Sequence, residues 1–210
     1  MTACSNCKGA LETPLACTTC GALLDADAEA TPFELLGLPL AYPIDRADLK
    51  QRLVRFGRLV HPDFYATEGE AARALAEIAS ARLNAAHALL ADDPARAEWI
   101  VEHLGGPRAE VQRELPRAFL IEVLDWNEEL EALSSTPNAP GSAERLAAIA
   151  SNLEARRAED LASITRLLVP LPARGSPVLA RVREQLNAIR YLERALAEIE
   201  ALRSGNVARR

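Results

Sequence analysis

Two amphipathic stripes separated by a proline limit what this chain can fold into more than any other feature. Leu49, Leu53, Phe56 and Val60 recur at i, i+4, i+7 and i+11, one narrow apolar face of a helix. Asp45 stands at its start as a cap, with Asp48 three residues on, as in a capping box. Leu75, Ile78, Ala79, Leu83, Ala86 and Leu90 mark a second, longer helix from near Gly69 to Ala91. Between them lies His61-Pro62-Asp63. Proline lacks a backbone N–H and drives the preceding residue out of the α region, so the first helix must end near His61. A loop of about ten residues then leaves the two helices antiparallel, with His61 and Asp63 directed outward.

Breakers divide the rest of the chain into further helices. Thr31-Pro32 caps and opens a short one through Phe33-Glu34-Leu35-Leu36, stopped at Gly37. Asp93-Pro94 opens another through Trp99, Ile100 and Leu104, stopped by Gly105-Gly106-Pro107. Three long stretches follow: Pro116 to Leu133, about Ala143 to Leu168, and Val178 to about Arg203. The segments Ser134 to Ser142 and Pro170 to Pro177 break between them. Helices of this length with short connections read as an antiparallel three-helix bundle. Aromatics are only 4% of the chain while alanine and leucine abound, which favours helix over strand. The expected fold is all-α, with a cysteine-bearing module at 1–25, a helical domain at 31–106 and a bundle at 114–205.

All four cysteines fall in the first 20 residues, as Cys4-x2-Cys7-x9-Cys17-x2-Cys20. Each Cys-x2-Cys turn brings two thiolates to one side of a metal, and two turns complete a tetrahedral sulfur set. Gly9 and Gly21 follow the pairs, where a tight turn folds backbone N–H groups toward sulfur. So short a segment cannot build an apolar core, so metal binding supplies its folding energy, roughly 10–16 kcal/mol for structural zinc. One structural zinc per chain is expected. The competing readings are two disulfides, free thiols in a tail, iron in the same site, or a redox dithiol, although no βαβ pattern surrounds either pair. Leu24 to Ala30 reads as an acidic linker.

The net charge of −6 excludes a generic nucleic-acid binder. No apolar run approaches the ~20 residues of a membrane span, and no secretory or transit signal opens the chain, so a cytoplasmic location away from membranes is expected. Lys8 and Lys50 are the only lysines, an arginine bias that suggests a GC-rich bacterial gene. Locally the charge reverses. Arg46, Lys50, Arg52, Arg55 and Arg58 face Asp48 alone within 46–58, and Arg52, Arg55 and Arg58 form a ridge away from the apolar stripe. A solvated helix face explains this as well as a binding ridge does. His61 and Asp63 lack a third partner nearby for metal or acid–base work. His87 and His103 read as a core residue and a C-terminal dipole contact.

The helix from Pro116 to Leu133 is apolar on two sides. Phe119, Val123, Trp126, Leu130 and Leu133 form a bundle-facing stripe, while Leu120, Ile121 and Leu124 fall well away from it, beside Asp125 and Glu128. The helix carries Arg117 against Glu122, Asp125, Glu128, Glu129 and Glu131. An apolar strip rimmed by carboxylates suggests a partner groove, or else packing on the preceding helical domain or on a wider bundle core. On the last helix Val182, Leu186, Ile189 and Leu196 read as the core face. Tyr191 lies about 180° from them, where it extends the same patch.

A helical hairpin carrying His-Pro-Asp behind a basic helix resembles a J-domain, with Phe33-Glu34-Leu35-Leu36-Gly37, Asn84-Ala85-Ala86-His87 and Asp93-Pro94 in support. From Thr31 onward the chain resembles the HscB/Hsc20 family of iron–sulfur co-chaperones. The further markers are Leu38-Pro39, His61-Pro62-Asp63-Phe64, Arg96-Ala97-Glu98 and Phe119-Leu120-Ile121-Glu122. The cysteine module is similar to an N-terminal extension of some members. The resemblance implies a non-enzymatic adaptor that brings an IscU-type scaffold to an HscA/DnaK-class ATPase and stimulates ATP hydrolysis. It implies that His61, Pro62, Asp63, Arg52, Arg55 and Arg58 meet the chaperone. Leu120, Ile121, Leu124, Asp125, Glu128 and Tyr191 would meet the scaffold. Ala132 stands where the family has a further acid. An adaptor for a different client is the alternative, and the zinc module is compatible with stabilising the N-terminus, weak self-association or a partner contact.

Overall fold

The computed structural model describes residues 3–135 and 139–204. Residues 136–138 of the expected loop at 134–142, and the outermost residues of the 1–25 and 114–205 segments, lie outside that description. Among the described residues seven α-helices follow one another: α1 (Pro32–Leu35), α2 (Arg46–Leu59), α3 (Glu70–Ala91), α4 (Asp93–His103), α5 (Arg117–Ser135), α6 (Ser142–Leu168) and α7 (Val178–Arg203). Among the described residues the only β-pairing is two isolated bridges in the cysteine module, Ala3 with Ala10 and Ala16 with Leu23. The chain divides into two compact units, Met1–Arg96 and Ala97–Arg210.

In the first unit local sequence sets the helix ends. Thr31 and Glu34 form a full capping box on α1. On α2 the box does not close. Asp45 accepts from Ala47 and Asp48 amides, but the Asp48 carboxylate turns to Arg52 at 2.9 Å, since aspartate is one methylene too short to reach back. Leu49, Phe56 and Val60 are buried as the stripe predicts. On α3 the buried set is Ala76, Ala79, Leu83, Ala86 and Leu90, and Ile78 is 58% exposed. The buried positions recur at i, i+3, i+7, i+10 and i+14 from Ala76, and Ile78 lies off that stripe, about 100° from Ala79 and about 200° from Ala76 around the helix. Arg96 is the unit's buried cation. It lies over the Tyr42 ring, 5.0 Å from its centroid, and donates to the carbonyls of Tyr42 at 2.7 Å and Leu90 and to Asp93. Burial pushes the Asp93 carboxyl up, but Arg96 and Arg46 hold it below its ordinary value.

The second unit is the helical bundle. Arg145 near the start of α6 pairs with Glu129 late in α5, and Arg156 farther along α6 pairs with Glu122 early in α5, so these helices run antiparallel. Phe119, Val123, Leu130 and Leu133 of α5 pack with Leu146, Ile149 and Leu153 of α6 and Leu192, Ala195 and Ile199 of α7. Tyr191 is half-buried at the α5–α7 seam rather than on an outer face. Its ring meets Phe119 edge-on at 5.8 Å and its hydroxyl bonds Asn127 at 2.7 Å. Arg183 of α7 is 0% exposed and donates to Glu98 at 2.9 Å, Glu102 at 3.4 Å and the Pro107 carbonyl at 3.0 Å. Gly106 is obligatory here, because a Cβ would fall 2.7 Å from Val101 and 2.8 Å from Leu179. His103 stacks on Trp99 at 4.5 Å.

Candidate partner-binding sites and metal centre

The His61-Pro62-Asp63 turn is shaped by its own side chains. Val60 closes α2, and His61 takes an extended conformation that proline requires of its predecessor. His61 Nδ1 accepts the Asp63 amide at 3.3 Å and so caps a one-turn 3-10 helix, Pro62–Tyr65. In the neutral ring Nε2 then carries the hydrogen. The Asp63 carboxylate lies 3.7 Å from Nδ1, and both side chains are exposed. Phe64 is 66% exposed beside the imidazole, while Tyr65 is buried with its hydroxyl on the Leu59 carbonyl at 2.7 Å. A groove of about 460 Å³ opens between α2 and α3 beside the turn, lined by Val54, Gly57, Arg58, His61, Phe64 and Asn84.

The cations of α2 are not equivalent. Arg46 pairs with Asp93 at 2.9 Å. Arg52 is half-buried, held by Asp48 and by the Gly37 carbonyl at 2.7 Å. Arg55 pairs with Glu12 of the cysteine module. Among the described residues Lys50 and Arg58 alone of these five have no ion pair or hydrogen bond from their side chains. They flank exposed Val54 at i, i+4 and i+8, a ridge continuous with the groove. Arg58 belongs to the ridge expected from the sequence with Arg52 and Arg55, whereas Lys50, at the same helical spacing as Val54 and Arg58, does not.

On α5, Leu120, Ile121 and Leu124 are 46%, 68% and 63% exposed. The carboxylates around them split by role. Glu122 and Glu129 are tied to α6, leaving Asp125, Glu128 and Glu131 exposed and without ion pairs among the described residues. Asn127, three residues beyond Leu124, brings the Tyr191 hydroxyl to the edge of this strip. Ala132 is exposed one turn beyond Glu128.

The four cysteine sulfurs all lie within 4.8 Å of one another, with Cys4–Cys20 at 3.8 Å and Cys7–Cys17 at 3.7 Å. A tetrahedron of thiolates about 2.3 Å from a zinc ion has edges of about 3.8 Å, so the donor set fits a metal. The cysteines are not disulfide-bonded. The two knuckles repeat one fold: the amides of Lys8 and Gly21 return to the Cys4 and Cys17 carbonyls at 2.9 Å, and both residues are left-handed, at φ 63° and 74°. Gly9 donates its amide to Cys7 Sγ at 3.4 Å, as expected of a turn that folds N–H groups toward sulfur, while the left-handed position of that knuckle falls to Lys8. Amides of Cys20 and Thr19 lower the Cys17 thiol to about 6. Cys7 accepts the Gly9 amide, yet the neighbouring Cys20 thiol and burial push it up to about 11. The module is docked on the first unit rather than trailing from it. Thr13, Leu15 and Ala16 are buried, and Thr13 Oγ1 donates to the Leu35 carbonyl at 2.8 Å. The expected acidic linker is likewise held, with Arg82 donating to the carbonyls of Ala26 at 2.9 Å and Asp27 at 2.6 Å.

Comparison with known proteins places this architecture. Residues 115–200 match the family of the HSCB C-terminal oligomerisation domain. A co-chaperone protein HscB homolog of Bordetella avium is 33% identical over 137 residues, covering 65% of this chain and 78% of that protein. The chain belongs to the HscB co-chaperone family. A Pasteurella multocida HscB homolog is 26% identical over 80% of this chain and 94% of its own length. In fold, the crystal structure of human co-chaperone protein HscB superposes with a TM-score of 0.75 at 24% identity, covering 96% of this chain and 98% of that one. Within an HscB frame the Arg96-Ala97-Glu98 marker has a packing explanation. Arg96 anchors the Tyr42 and Leu90 carbonyls of one unit, and Glu98 neutralises Arg183 and Arg190 in the other.

Proposed function

We propose that this HscB-family chain delivers an IscU-type iron–sulfur scaffold to an HscA/DnaK-class ATPase chaperone and stimulates ATP hydrolysis, promoting transfer of the cluster. The observation that carries this reading is the exposed His61-Pro62-Asp63 turn at the end of α2, beside an open groove and the unpaired Arg58. Among the described residues Asp63 is the one titratable group within reach of His61, which suits a recognition element better than an acid–base pair. In this reading 31–106 acts as the J-domain, and Arg52 and Arg55 reinforce the contact made by Arg58. Opposite charge on the chaperone steers encounter, an effect that salt weakens. The bundle at 114–205 holds the scaffold through Leu120, Ile121, Leu124, Asp125, Glu128 and Tyr191. Support comes from a strip that stays exposed on a helix whose other face is fully packed. The 1–25 module holds one structural zinc through Cys4, Cys7, Cys17 and Cys20. Reduced thiols in that set suit a cytoplasmic protein.

The test is steady-state ATP hydrolysis by the chaperone with the scaffold, with and without this protein. Wild type is expected to stimulate, and His61→Gln to abolish stimulation while circular dichroism and melting stay unchanged. Undiminished stimulation by His61→Gln would exclude the reading. Stimulation without any binding of the IscU-type scaffold would favour an adaptor for another client.

A further inference from the structure

The cysteine module rests on the same helix that carries the chaperone-facing arginines, and one of its carboxylates is committed to one of them. Glu12 lies between the two knuckles. Its Oε1 accepts from Arg55 Nη2 and, at 3.0 Å, from Thr18 Oγ1, a residue inside the second Cys-x2-Cys turn. Arg55, and after it Thr18, hold the Glu12 carboxyl below its ordinary value. The backbone that presents this carboxylate is fixed on both sides. The Glu12 carbonyl oxygen lies so close over Gly37, itself left-handed at φ 62°, that a Cβ there would come within 2.3 Å. Thr13 bonds the Leu35 carbonyl, and Leu15 and Ala16 are buried. Glu12 is therefore presented by a docked turn whose shape depends on the cysteine set, and is no chance neighbour of Arg55.

We propose that the module is a built-in cover for the arginine side of α2: Glu12 occupies Arg55 in place of a carboxylate from an acidic partner surface, and the partner gains Arg55 only by displacing it. The inference rests on α2 being the chaperone-facing helix. Both members of the pair are about half exposed, with side-chain accessibilities of 53% and 43%, so exchanging one carboxylate for another requires no desolvation of a buried charge. Lys50 and Arg58 stand uncovered and make first contact. Arg55 is a second contact whose gain is discounted by the loss of Glu12. Loss of the metal removes the constraint on Thr18 and the Glu12 turn, which ties the cover to the integrity of the four-sulfur site.

The experiment measures affinity for the chaperone ATPase by calorimetry at low salt, using full-length wild type, Glu12→Gln, Arg55→Ala and the double variant. Bound zinc is measured in each, and His61→Gln is run in the same series. Glu12→Gln is expected to tighten binding about two- to fivefold, the scale of an exposed ion pair, with zinc content unchanged. In the Arg55→Ala background that gain should vanish. Unchanged or weaker binding by Glu12→Gln overturns the cover, because Glu12 then has no effect or positions Arg55 for the partner. A gain that persists without Arg55 also overturns it, marking a general change of surface charge. Binding by wild type that is absent, or indifferent to His61→Gln, overturns the chaperone reading itself and the cover with it.

Discussion

Asp160 on α6 is buried, and its Oδ2 is, among the described residues, the one fully buried side-chain oxygen or nitrogen without a hydrogen-bond partner. Its Oδ1 is 3.4 Å from Arg156 Nε, but that arginine is shared with Glu122 and stacked over Phe119. Burial raises the Asp160 pKa, against the opposing pull of Arg156. A carboxyl with a folded pKa above its unfolded value binds its proton more tightly in the native state. Its contribution is therefore fully favourable below the unfolded value near 3.8 and is lost as pH rises through the folded pKa. Asp160→Asn keeps an acceptor for Arg156 and removes the charge. At pH 7 it should stabilise the bundle by on the order of 1 kcal/mol, about 4–8 °C in Tm, and the advantage should shrink toward pH 4. A melting series in buffers from pH 4 to 8 checks both the size and the slope. Nothing in the sequence marks this residue, since an aspartate among charged helix positions reads as solvent-facing until the neighbouring helix is in place. Lys8 makes the same point: its left-handed backbone follows from the repeated knuckle fold, which the adjacent Gly9 conceals.

The helices themselves were largely legible, because a 3.6-residue period survives in any helix that packs on one side. On α5 the two apolar faces separate as the pattern requires, with Phe119 and Leu133 buried and Ile121 and Leu124 exposed. Tyr191 lies at the α5–α7 seam and not opposite the core stripe for a physical reason. α7 buries Val182, Leu186 and Ile189 on one arc and Ala188, Leu192, Ala195 and Ile199 on a second arc that faces the bundle. A single stripe drawn through Ile189 and Leu196 misses the second arc, and Tyr191 stands half-buried at its edge. The exposed face of α5 has a measurable consequence at this scale. Leu120→Ala with Leu124→Ala removes little buried area, so the melting temperature should move by no more than about 2 °C. Affinity for the IscU-type scaffold should fall at least tenfold by calorimetry if the strip is the contact centre. A large loss of stability with unchanged affinity would mean that the strip packs within the protein.

Two units with separate cores and separate ionic anchors make up the molecule, and each should respond to its own perturbation. Removing the zinc proposed for the four-sulfur site with a chelator should release the knuckles and with them the buried Thr13, Leu15 and Ala16, so melting of the Met1–Arg96 unit should shift down. Arg183→Ala removes the buried cation, leaving Glu98 with Arg190 alone, Glu102 unpaired and a cavity in place of the side chain, and should destabilise the other unit by roughly 3 kcal/mol. Hydrogen exchange resolved by peptide separates the two effects. A single shared loss of protection across both units in either experiment would contradict their separation. The docked cysteine module also bears on the order in which the chain is made. Its partners Leu35, Gly37, Arg55 and Arg82 all emerge before residue 97, so this unit can close its contacts while the bundle helices are still unsynthesised. The bundle cannot begin in the same way. Glu98 waits for Arg183, and Phe119 waits for Tyr191 at the far end of the chain. During synthesis the apolar strip of α5 and its future core face are both uncovered, and that interval is when this half of the molecule is most exposed to misassociation.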